Sequence, residues 1–252
     1  VVRWIVCSNG SSLYDAETGA VVDRTLLSSE ACEAIRQLPT RLPGVGLGWE
    51  HGGGIHRDAG FLAIRQAEGM TMRPEEPVGE LDLALGINKV MVGHRELGHD
   101  EILDAIRPLL PDDLEVSSSG ASFVEVTAPG VEKGEALSRL SGRLGLDRRR
   151  AMAFGDQQND LGMLGWAEFA YAMENAHPLV LAATDRRAPH HDDHGVAGDF
   201  IGVEKRGGKG HDPAGFDHDL QSGKGKRHGP QALLFADHKT RPTKAVQDRE
   251  SQ

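Results

Sequence analysis

Two aspartates four residues apart, Asp156 and Asp160, stand where an apolar run gives way to polar residues, in Ala151-Met-Ala-Phe-Gly155-Asp156-Gln-Gln-Asn159-Asp160. Asp156 closes a predicted strand, and Asp160, with Asn159 before it, opens the helix that follows. Carboxylates at the mouth of a strand converge on one point, which suits a hard divalent cation such as Mg²⁺. A magnesium ion held by carboxylates in this way usually works on phosphate. Helix capping accounts for one acidic residue here but not for two flanking an amide pair. The attacking group that such chemistry needs is not evident in the chain, so no nucleophile is assigned.

Two other strand ends carry compatible side chains. In Glu125-Val-Thr-Ala-Pro-Gly130-Val-Glu-Lys133 a strand leaves through Pro-Gly into a helix whose first turn holds Lys133. A lysine there reaches the strand ends and neutralises a phosphate or a neighbouring aspartate. Taken alone, it reads more simply as a solvated first-turn residue. In Ala172-Met-Glu-Asn175-Ala176, Asn175 either caps the next helix or touches the water shell of a metal. Asn9, in Ser8-Asn9-Gly10, is a turn former or a substrate contact.

The elements that must position these residues follow from periodicity. Strands are expected over 1–7 and 20–27, and Ser28 or Ser29 caps a helix running to about Leu38. Residues 39–60 are rich in Gly and Pro and give no assignment. A helix is expected over 75–85, a strand over 87–92 and an amphipathic helix over 100–110, followed by paired strands at 114–118 and 122–127. Strands and helices then alternate: helix 131–144 ended by Gly145, strand 151–154, helix 160–164, strand 168–172, helix 177–183. Such alternation implies a parallel sheet with crossover helices.

Composition bounds the remainder. The 252 residues suffice for one large or two smaller domains. Their 38% apolar and 26% charged content fits a folded polypeptide without a membrane span or a secretory leader, and a cytoplasmic location is expected. The net charge of −10 divides unevenly: residues 203–252 hold 10 Lys and Arg against 7 Asp and Glu, whereas the rest of the chain is acidic. An acidic body argues against nucleic acid as a partner. Cys7 and Cys32 share no metal-like spacing and read as reduced thiols. The chain opens on Val1 and enters an apolar strand directly, which predicts an N-terminal truncation. Residues 203–252 lose all periodicity except a compact apolar cluster at 232–236, and a disordered tail is expected.

The ordered series of these motifs resembles the haloacid dehalogenase superfamily, specifically its Cof-type phosphatases. Ile5-Val-Cys-Ser-Asn9-Gly10 and Tyr14-Asp-Ala-Glu-Thr-Gly19 look like that branch's entry into its cap, and Ile87-Asn-Lys-Val-Met-Val92 like a cap strand. Residues 123–137 and 154–164 resemble the third and fourth motifs, and His194-Gly-Val-Ala197 resembles the ending. The resemblance implies an α/β fold: an incomplete Rossmannoid parallel-sheet core (1–10 and 122–202), an inserted α+β cap (11–121) that selects the substrate, and the tail. It implies a Mg²⁺-dependent phosphatase of small phosphorylated metabolites. Lys133 would offset charge on nucleophile and phosphate. Asp156 would bind Mg²⁺ directly and Asp160 directly or through water, with Asn159, Asn175 and Asn9 in support. The family's first motif, Asp-x-Asp-Gly-Thr, which supplies nucleophile and general acid, is absent, as is the second, a Ser or Thr before Gly-Arg. The chain alone is therefore expected to be inactive. The alternative is a non-catalytic protein of the same fold that binds a phosphorylated ligand or a partner.

Other runs read more plainly. Asp217-His-Asp219 lacks a preceding strand and the following Gly-Thr. His190-His-Asp-Asp-His194 has a metal-binding composition but the placement of a solvated loop. Gly44–Gly48 and His51–Gly54 lack the spacing of a phosphate loop and read as surface or cap loops. Lys224–His228 is basic but short, and reads as solvated tail.

Overall fold

The computed structural model describes residues 3–51, 54–70, 78–84, 86–119, 121–193 and 196, and the backbone of 233–236. Strand β1 (Trp4–Cys7) runs into a 3₁₀ turn at Ser8–Gly10 and then into a hairpin of β2 (Ser12–Asp15) and β3 (Val21–Arg24). Helix α1 (Ser29–Arg36) follows, capped by Ser28, whose hydroxyl accepts the Ala31 N–H at 3.1 Å. After α2 (Leu38–Arg41) come β4 (Val45–His51), β5 (Gly54–Arg57) and α3 (Ala59–Ala67). Next are β6 (Ile87–His94), α4 (His99–Ile106), β7 (Glu115–Ser117) and β8 (Phe123–Thr127). The alternating part comprises α5 (Lys133–Leu144), β9 (Met152–Gly155), α6 (Leu161–Trp166), β10 (Phe169–Met173), α7 (Pro178–Ala183) and β11 (Arg187–Ala188). A last strand, β12 (Leu233–Ala236), lies within the range expected to be disordered and pairs parallel with β1; the rest of 203–252 lies outside the described residues.

Three sheets result. β9, β10 and β11 form a parallel sheet in the order β11-β10-β9, as the alternation implies. β1 joins β12 on one side and the β2–β3 hairpin on the other. The largest sheet is antiparallel, in the order β5-β4-β6-β8-β7. Boundaries at 10/11 and 121/122 separate β1 from β2 and β8 from β6, yet ladders of hydrogen bonds join both pairs. β8 thus belongs with the antiparallel strands, not with the parallel ones.

The two faces of the large sheet differ in chemistry. One presents Leu47, Trp49, Val90, Val92, Val124 and Val126 to α1 and α4, whose Ile35, Ile102 and Ile106 are fully buried. Period-2 alternation puts Gly46, Gly48, Gly93, Glu50, Lys89 and Glu125 on the other face. Helix α3 lies on its glycine half: a Cβ at Gly46 would come within 2.1 Å of the Phe61 backbone nitrogen. Residues 39–60 gave no assignment for this reason. Their glycines make room for a helix rather than for a loop, so Val45–Gly48, His51 and Gly54 are strand residues, with Gly44 in the turn before them.

The helix expected over 75–85 does not form in the described residues 78–84. Val78 makes a single bridge to Arg57, and the Asp82 carboxylate accepts the Ala84 N–H in a turn. An aspartate side chain that takes a backbone N–H in this way competes with the helix for it.

Candidate active site

The site is built where α5 and α6 meet the end of β9. Glycines set the distance: a Cβ on Gly134 would stand 2.5 Å from the Gly162 carbonyl oxygen, and one on Gly155 would stand 2.6 Å from the Asp160 Cβ. With hydrogen at those positions, Lys133 in the first turn of α5 reaches Asp160. Its Nζ lies 2.6 Å from Asp160 Oδ1, and both side chains are 8% exposed.

The other Asp160 oxygen, Oδ2, accepts the backbone N–H groups of Asp156 at 2.9 Å and Gln157 at 3.0 Å. Asp160 is thus committed on both sides, to an ammonium and to the turn that aims Asp156. Asp156, at the end of β9, carries the second carboxylate of the pair. That carboxylate is half-buried and accepts Asn175 Nδ2 on Oδ2 at 3.3 Å. A single carboxylate beside a lysine fits Mg²⁺, which keeps several waters and takes its remaining ligands from substrate phosphate.

Asn175 does not cap α7, whose cap is His177, and instead ties the Asp156 turn to a later one. Its Oδ1 accepts the His191 N–H at 3.1 Å and so holds the 3₁₀ turn His191–Asp193. The ligand atoms of His190, His191 and Asp192 lie within 4.8 Å of one another, but Asp192 is largely exposed, in keeping with a solvated loop; His194 lies outside the described residues. Asp217, Asp219 and Lys224–His228 also lie outside them. Asn9 and Asn159 meet at the cleft, with Asn159 Nδ2 donating to Asn9 Oδ1 at 3.5 Å. Asn9 holds a left-handed φ of 58°, a conformation asparagine tolerates better than most residues. Its Nδ2 donates to Glu125 Oε2 at 3.1 Å.

Sequence reasoning missed two groups. His177 donates its backbone N–H to the Asp156 carbonyl at 2.8 Å, and its Nε2 lies 3.0 Å from Gln158 Nε2, bracing the Asp156 turn. The second is a buried ionic cluster in which Lys89 Nζ lies 3.0 Å from Glu50 Oε1 and 2.7 Å from Glu125 Oε1. A signal existed in Asn88 and Lys89, two polar residues within the otherwise apolar run Ile87–Val92.

Residues 1–199 match the haloacid dehalogenase-like hydrolases. The chain belongs to that family. Among relatives of this chain, the 5-amino-6-(5-phospho-D-ribitylamino)uracil phosphatase YbjI of Escherichia coli (strain K12) is 36% identical over 101 residues, 38% of this chain and 37% of that protein. The matches to YbjI and to two other curated phosphatases span between 37% and 44% of those proteins' length. The fold is also that of BT1666 from Bacteroides thetaiotaomicron (TM-score 0.67, 21% identity, 80% of this chain and 74% of that one). It is equally that of the subclass IIB sugar phosphatase BT4131 (TM-score 0.66, 19% identity, 79% and 76%). Among the described residues, no helix is long and apolar enough to cross a membrane.

Proposed function

We propose that this site binds the phosphoryl group of a small phosphorylated metabolite, and that the protein's chemistry is Mg²⁺-dependent phosphoric monoester hydrolysis. The observation that carries the reading is the buried Lys133–Asp160 pair beside the turn that presents Asp156. An ammonium in a water-poor cleft offsets phosphate charge far better than it would in water. Asp160 orients the lysine and stiffens the Asp156 turn, and Asn175 fixes the Asp156 carboxylate. Bound Mg²⁺ would supply electrophilic stabilisation of the phosphoryl oxygens. The phosphatase names and folds of the relatives point the same way. The large antiparallel sheet, whose charged half faces Asn9, acts as the cap that meets the organic part of the ligand.

Hydrolysis by this family's route needs an attacking carboxylate. Asp160 is fully engaged, and Asp156 is reserved for the metal. The chain alone therefore binds phosphate but turns over phosphate esters negligibly. That engagement also favours a second reading, a phospholigand-binding protein without catalysis.

Binding of inorganic phosphate in the presence of Mg²⁺, measured by titration calorimetry, should be lost in Asp156→Ala and Lys133→Met. Phosphate binding that ignores both substitutions would sink the site assignment. Turnover of p-nitrophenyl phosphate that disappears in Asp156→Ala would overturn the expected inactivity and eliminate the non-catalytic reading.

A further inference from the structure

The loop after β11 gathers side chains of the types that ligate metals. His190, His191 and Asp192 each bring a ligand atom within 4.8 Å of the other two. Among the described residues they are the one group of three His, Cys, Asp or Glu side chains so gathered, and neither Asp156 nor Asp160 belongs to it. The turn is what brings them together. Neighbouring side chains on a strand point to opposite faces. Here the chain has left β11 and wound into the 3₁₀ turn His191–Asp193, and the rings of His190 and His191 lie with centroids 4.4 Å apart.

The loop is fastened at its base and within itself. Glu174 donates its backbone N–H to the Ala188 carbonyl at 2.9 Å, and the His191 N–H goes to Asn175 Oδ1 at 3.1 Å. Inside the turn, the Asp193 N–H donates to the His190 carbonyl at 2.9 Å, and the Asp192 N–H donates to His190 Nδ1 at 3.2 Å. A ring nitrogen that accepts an N–H presents a lone pair there, which is the form a metal takes. His190 therefore turns a free lone pair toward Asp192. The spacing suits a small ion: Asp192 Oδ2 lies 3.5 Å from His190 Nδ1, and Oδ1 lies 3.3 Å from His191 Nε2. Zinc bonds of about 2.0–2.1 Å directed to the corners of a tetrahedron set neighbouring ligand atoms roughly 3.4 Å apart.

We propose that His190, His191 and Asp192 form a cation site of their own, selective for a transition ion of the Zn²⁺ class over Mg²⁺. Two imidazoles and one carboxylate are donors that zinc accepts readily, whereas Mg²⁺ is bound through oxygen. The three side chains are 39%, 57% and 77% exposed, so the ion enters without any opening of the fold, and water fills the position that the protein leaves vacant. The solvated character of the loop is thus a property of an open site. Asn175 holds this loop through Oδ1 and Asp156 through Nδ2. An ion that stiffens the turn therefore stands one side chain away from the Asp156 carboxylate and shares no ligand with it.

The test is a calorimetric titration of the full chain, stripped with a chelator, with Zn²⁺ in excess Mg²⁺ and without phosphate. Zn²⁺ should bind, and raising Mg²⁺ should leave its affinity within about 2-fold. His190→Gln, His191→Gln and Asp192→Asn should each weaken that binding at least about 10-fold, as loss of one of three protein ligands requires. His56→Gln alters a different pair of neighbouring imidazoles, His51 and His56, and should leave Zn²⁺ binding unchanged. The three substituted side chains are exposed, so thermal unfolding without zinc should be unaltered, and lost affinity then reports ligands rather than folding. Zinc should also raise the Tm of the unaltered chain and not that of His191→Gln, by the mass action of an ion that binds only the folded form. Absence of Zn²⁺ binding overturns the proposal. So does binding that survives all three loop substitutions, or binding from which Mg²⁺ displaces Zn²⁺ at comparable concentration.

Discussion

Removing the ammonium of Lys133 should unsettle the whole phosphate site, because one buried contact ties two elements together. Its Nζ lies 2.6 Å from Asp160 Oδ1, with both side chains 8% exposed. Breaking a buried ion pair by deleting one partner costs about 3–5 kcal/mol, mostly because the surviving charge loses its compensation. Asp160 keeps two backbone N–H donors, from Asp156 and Gln157, so Lys133→Met should fall near the lower end, at about 3 kcal/mol. For a chain of this size that corresponds to a fall in Tm of roughly 6–12 °C. Asp160→Asn strands the lysine instead and should cost a similar amount. The double variant leaves neither charge unpaired, so it should be little worse than either single one. The coupling energy should then be about 2–3 kcal/mol in a double-mutant cycle measured by urea unfolding. Strictly additive effects, with a coupling below about 0.5 kcal/mol, would mean that the two side chains do not share one buried contact.

Other consequences can be checked in the same way. Gly134→Ala should destabilise by about 1–3 kcal/mol and weaken phosphate binding, since the new methyl must push α5 away from the Gly162 carbonyl; Gly142→Ala, where a Cβ meets nothing within 4 Å, should be neutral or stabilising in the same unfolding assay. At Asn9, Gly should preserve the left-handed backbone and lose the links to Glu125 and Asn159, whereas Ala loses both and should be less stable than Gly by about 1 kcal/mol in thermal unfolding. Burial, and then the neighbouring His51, hold the His56 imidazole below its ordinary pKa, so protons bind the unfolded chain more readily. The stability tied to His56 is present above about pH 6.5 and is lost as pH falls toward the folded-state value. A urea midpoint that drops between pH 7.5 and 5 should drop less in His56→Gln, and an unchanged slope would refute the assignment.

Local chemistry made much of this protein legible. The β9–α6 corner was readable because an apolar run ending in Gly-Asp has few other solutions. The α5 boundary was readable because Gly145 closes the helix with φ 64°. Ser28, Asn9 and the amphipathic α4 announced themselves through capping, turn and periodicity. Asp160 was harder: its sequence position fits a metal ligand as well as a helix opener, and only the contacts in space show both oxygens engaged.

What the sequence determined by itself is therefore the set of local elements and the residue types waiting at their ends, since propensity and capping act within a few residues. What the tertiary structure decided is everything that depends on approach between distant segments. The glycines of β4 look like loop residues until α3 lies on them, and the Glu50–Lys89–Glu125 cluster draws on strands separated by 39 and 36 positions. Lys133 gains its role from a helix contact that two glycines permit. Charge compensation in a buried site is a property of distances in space, and no spacing along the chain encodes it.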